Sequence, residues 1–136
     1  EGLATRLATP LITAEDLEQL KENLREAEGY TGQDQMAPRR RLNTEFHLSI
    51  CRASGRRYLT RQAEALWGWF PSVMLYEGLR RQEEALSVRL EREKQEHRAI
   101  LAALESRDAE QAEQEVQRHI RHLVYELPGA LGIPKE

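Results

Sequence analysis

What most constrains this chain is its shortage of β-branched residues beside an excess of good helix formers. It has 19 Leu and 15 Ala against 4 Val and 5 Ile. Its charges are 17 Arg and 20 Glu, with only 3 Lys and 3 Asp. Leu, Ala, Glu and Arg lose little rotamer freedom in a helix, whereas strands favour the branched residues that are scarce here. No apolar/polar alternation of strand length occurs. The expected fold is all-α, an antiparallel bundle of about six or seven helices.

Apolar periodicity places the helices. A short one covers Gly2 to Thr9 and stops at Pro10. Thr13 caps a second through "TAED", an acid three residues past the cap; it carries Leu17, Leu20 and Leu24 and ends near Gly29. A loop, "GYTGQDQMAP", leads to a third from Pro38 to Ala53, broken by "SGR". The fourth runs from Arg56 to Leu79 on a seam of Leu59, Ala63, Leu66, Phe70 and Val73, with a kink expected before Pro71. The fifth spans Gln82 to Glu105. Asp108 caps a sixth that ends before Pro128.

Composition excludes several classes. At 136 residues the chain is one domain, and 40% hydrophobic with 32% charged content fits a soluble one. No run approaches the ~20 apolar residues of a membrane span. One cysteine, Cys51, excludes a disulfide framework and suits a reducing compartment, most simply the cytoplasm. A net charge of −3 argues against direct DNA binding by these residues. The chain starts at Glu1 without Met or signal peptide, so a longer polypeptide is expected.

The histidines carry the chemistry. On the third helix, Leu42, Phe46 and Ile50 mark the buried stripe, and Asn43 and His47 stack beside it. His97 falls mid-seam among Leu86, Leu90, Glu93, Ile100 and Leu104. His119 does the same among Ala112, Val116, Leu123 and Leu127. His122 lies off the seam, near Glu115 and Arg118, and is expected to be exposed. Three imidazoles turned into one interior cannot all be charged, and a divalent metal satisfies them. Asn43 could add a side-chain oxygen. Arg80 and Tyr76 are candidates for binding a carboxylate, and Glu93, one turn before His97, for orienting an imidazole. The run Arg39 to Arg41 reads as a solvated helix start. In "WGWF", one tryptophan is expected to be exposed or in an interface.

These same residues resemble a known family. "LNTEFHLSICRASGRRYL", "EHRAILAALESRDAEQAEQEVQRHI" and "EGLATRLATPLITAEDLEQL" are similar to the signature helices of the FCD-type ligand-binding domain of GntR-family transcription regulators. The resemblance covers essentially residues 1–136. It implies a non-enzymatic effector domain with metal ligands Asn43, His47, His97 and His119. The metal is expected to be zinc, with nickel or iron as alternatives. The effector is a small organic acid, the assembly a homodimer, and DNA is contacted only through a winged-helix domain upstream of this chain. Two positions depart from the pattern. Asn43 stands where many members have Asp, removing a negative charge, and the turn reads "SGR" where "GN" is usual.

Two other readings remain: a helical metalloenzyme and a metal-free helical interaction module. The enzyme reading lacks Glu-x-x-His, H-E-x-x-H and His-Asp pairs, and Cys51 has no evident base.

Overall fold

The computed structural model describes residues 1–69 and 83–130. Among the described residues all regular structure is helical. The α-helices are α1 (Gly2–Ala8), α2 (Ala14–Gly29), α3 (Met36–Ala53), α4 (Arg57–Trp69), α5 (Glu83–Glu105) and α6 (Ala109–Ala130), with a 3₁₀ turn at Gln33–Gln35 before α3. The all-α helical bundle expected from composition is the fold observed.

Local chemistry sets the boundaries. Thr13 caps α2 reciprocally: its hydroxyl accepts from the Asp16 N–H, and the Asp16 carboxylate accepts from the Thr13 N–H at 2.8 Å. The Asp108 carboxylate accepts from the Gln111 N–H at 2.9 Å and caps α6. The α3–α4 turn uses Gly55 at φ 65°, the left-handed conformation a Cβ disfavours. The turn after α5 takes the same conformation without glycine, at Arg107 (φ 59°). Arg107 Nη1 donates to the Thr9 carbonyl at 2.9 Å and also to that of Ile12, tying this turn to the α1–α2 corner.

Two boundaries and one seam position differ from expectation. α3 begins at Met36, because the 3₁₀ turn feeds directly into it. α6 continues past Pro128 to Ala130. A proline removes one N–H donor, and here that loss is confined to the last turn. On α4, Leu66 is 70% exposed and Trp67 is buried in its place. The seam steps from Ala63 by four rather than three. The remainder of the expected fourth helix, with its kink at Phe70 and Pro71 and with Val73, lies outside the described residues.

α5 and α6 are antiparallel neighbours, Arg92 reaching Glu126 and Glu96 reaching His122. α2 packs on α3 and α5, and α1 on α3 and α6. Between them, Ile12, Leu20, Phe46, Ile50, Ile100 and Leu104 form a core with at most 2% exposure. Among the described residues no helix is long and apolar enough to cross a membrane.

Candidate metal centre

α3, α5 and α6 each deliver one histidine to the centre of the bundle. His47, His97 and His119 are 1%, 3% and 0% exposed. One ligand nitrogen from each lies within 4.8 Å of the others, and His47 Nε2 is 3.3 Å from His97 Nε2. The convergence expected from seam position is what the helices produce. Phe46 packs its ring on His97 with centroids 4.8 Å apart, and Trp67 stacks on His47 at 5.0 Å. These aromatic walls keep water from the ring faces.

Carboxylates hold the outer nitrogens. Glu96 Oε2 is 2.7 Å from His119 Nδ1, and Glu1 Oε2 is 3.0 Å from His47 Nδ1. Such bonds fix the tautomer, leaving Nε2 with its lone pair for a metal. His119 Nε2 is buried and has no hydrogen-bond partner, and neither has the Oδ1 of Asn43, 6% exposed and one turn before His47. An orphaned acceptor among facing imidazole nitrogens is costly unless a cation satisfies it, and Asn43 Oδ1 is a second buried acceptor left unpaired. The donor set fits a divalent metal with imidazole and oxygen ligands.

Electrostatics favour the neutral form of His97 and His119. Burial holds His97 well below the usual histidine value, and the positive charges of His119, His47, Arg89 and Arg39 depress it further. Burial also lowers His119, against the opposing pull of Glu96. Burial pushes the Glu96 carboxyl up, but hydrogen bonds from His119 and His122 and the charges of His119 and Arg89 bring it down to about 2. Glu1 follows the same pattern: burial raises it, and the charge and hydrogen bond of His47 hold it below the usual carboxylate range.

Around this centre lies a buried ionic layer that polarity alone concealed. Arg39, expected to be solvated, is 3% exposed. It donates from Nε to Glu93 at 3.1 Å and from Nη1 to the Ala27 carbonyl at 2.6 Å, so it also caps the end of α2. Of its run, Arg41 is exposed as expected and Arg40 is half-buried. Glu93 is paired with Arg39 and, at 3.6 Å, with Arg89. The carboxylates bonded to imidazoles are Glu1 and Glu96, neither of which stood out in the sequence. A signal for Glu96 existed: His119 and His122 are three apart on α6 and face one turn of α5. His122 is therefore not free on the surface; 43% of its side chain is exposed, and Nδ1 is 2.5 Å from Glu96 Oε1. Trp69 is the exposed tryptophan, at 90%. Burial pushes the Cys51 thiol up to about 11, which makes it a poor nucleophile. Arg80 and Tyr76 lie outside the described residues.

The chain belongs to the FCD domain family, whose model matches residues 1–122. Its structure is similar to that of E. coli McbR/YncC, with a TM-score of 0.75 and 25% sequence identity over 94% of this chain. The chain spans 62% of the length of that protein. No curated protein matches it in a sequence search.

Proposed function

We propose that this chain is the effector-sensing domain of a GntR-family transcription regulator, binding a divalent metal and a small carboxylate. The FCD domain and the likeness to McbR/YncC support the regulator class. The observation that carries the metal is the cluster of three buried histidines with the unpartnered His119 Nε2 beside it. His47, His97, His119 and Asn43 would hold the metal, zinc being our first choice and nickel or iron the alternatives.

When bound, the metal would supply Lewis acidity and a positive charge that its neutral imidazole and amide ligands do not themselves cancel. In a low-dielectric interior that charge would attract an organic acid. Glu1 and Glu96 orient the imidazoles, while Phe46 and Trp67 exclude water from them. Arg80 and Tyr76 remain our candidates for gripping the far end of the acid. DNA would be contacted through a separate winged-helix domain, and two copies would associate, an arrangement favoured by the exposed Leu66 and Trp69 on α4. No residue would have a catalytic role, and the regulator would work in the cytoplasm.

The test is calorimetric titration of small organic acids into metal-loaded and chelator-stripped protein, with elemental analysis of the loaded form. Each ligand should raise the affinity of the other by the same factor. His97→Ala should abolish metal uptake and acid binding together. Equal acid affinity with and without metal would overturn the mechanism.

A further inference from the structure

We infer that Glu1 is a positioning residue of the metal centre, and that metal binding therefore tightens the first turn of α1. The inference rests on the metal reading above.

Glu1 occupies the N-cap of α1, where an acidic side chain ordinarily accepts a hydrogen bond from the helix's own first turn. Its side chain makes no such bond. Instead the carboxylate turns inward, with 17% side-chain exposure, and meets Nδ1 of His47 at 3.0 Å. Meanwhile the Glu1 carbonyl accepts the Thr5 N–H at 2.9 Å, the bond that opens α1. One residue thus accepts a backbone bond from the first turn of α1 and holds a metal-ligating ring.

The chemistry runs in both directions. A carboxylate on Nδ1–H makes Nε2 a better electron donor, and a metal on Nε2 makes Nδ1–H a better hydrogen-bond donor. By linkage, whatever factor Glu1 adds to metal affinity, metal adds to the closed Glu1–His47 contact. Glu96 plays the same part for His119, but from mid-helix on α5, where its backbone is already fixed. Glu1 stands at the first turn of α1, so strengthening its contact also steadies the bond between its own carbonyl and the Thr5 N–H.

The test titrates Zn²⁺ or Ni²⁺, in competition with a chromophoric chelator, into the stripped full chain and its Glu1→Gln and Glu1→Ala variants. Amide hydrogen exchange at Thr5 is followed with and without metal. Glu1→Ala should bind metal about 10- to 100-fold more weakly. Glu1→Gln, which keeps an accepting oxygen without charge, should fall between. Metal should slow Thr5 exchange in the wild type and leave it unchanged in Glu1→Ala. Wild-type metal affinity in both variants, or Thr5 exchange indifferent to metal in the wild type, would overturn this inference alone. Failure of the wild type to take up metal would overturn it together with the metal reading.

Discussion

Along α5, the residues after His97 bury Ile100, Leu101, Ala103 and Leu104, whereas those before it bury Arg89, Glu93 and Glu96, with Leu86 at the far end packed on Met36. The first half is held by apolar area, which is non-directional and tolerates small shifts. The second half is held by charge. Arg39 and Arg89 face Glu93 and Glu96, and Arg89 Nε is also 3.1 Å from Glu126 Oε2. Ion pairs of this kind contribute little net stability over an apolar equivalent, yet removing one partner strands the other in a low-dielectric interior. The aliphatic half supports the bundle, while the ionic half sets the electrostatic surroundings of the histidines. A helix built only the first way would give a firmer bundle and no oriented imidazole.

The contrast can be broken by mutation. The largest loss is expected for Arg39→Ala, which takes one arginine from the buried Glu93 and uncaps the end of α2. Chemical denaturation should show a loss of about 3–5 kcal/mol. A loss under about 1 kcal/mol would mean the ionic half relaxes as readily as a surface. Leu104→Ala, in the aliphatic half, should cost somewhat less, about 3 kcal/mol, for a buried leucine whose cavity partly collapses. The loss should be the same at every pH, because Leu104 touches no titrating group and the variant keeps the pH dependence of the wild type.

Acid is the gentler perturbation, and it sharpens the comparison because it touches only the polar half. His97 and His119 are depressed in the folded state, so the unfolded chain binds protons more readily. Metal-free stability should therefore be full above about pH 6.5, the unfolded histidine value, and fall as the pH drops below it. The lowered Glu96 carboxyl acts with the same sign and adds a further loss from about pH 4.5 down toward 2. A melting temperature that stays flat from pH 7.5 to 5.5 would contradict the neutral, buried assignment of His97 and His119.

Much of the fold was legible because burial leaves a 3.6-residue record. The positions of His97 and His119 in their seams, and of His47 beside Phe46, could be read directly. The capping signals at Thr13 and Asp108 were equally plain. What stayed hidden was pairing across helices. Arg39 and Glu93 look like surface residues until they meet, 54 positions apart in the chain. Glu1 contacts a ring whose place follows only from packing α1 on α3. The phase error on α4, Leu66 for Trp67, arose because steps of three and four are both compatible with a helix; the ring of His47 selects the indole as its neighbour.

The left-handed backbone at Arg107 carries a consequence for the order of folding. A glycine there would relieve a strain of about 1 kcal/mol. It would also forfeit the charged hydrogen bonds to the carbonyls of Thr9 and Ile12, each worth about 1.5–3 kcal/mol. Those bonds join residues 98 and 95 positions apart, so they repay their loop-closure entropy only after most of the chain is in place. The α5–α6 hairpin is local and can form early, while α1 has to wait for it. Pulse-labelled hydrogen exchange during refolding should protect α5 and α6 amides before those of α1, and simultaneous protection would rule this order out. The first helix is then the last to dock, closing over a centre that its neighbours have already assembled.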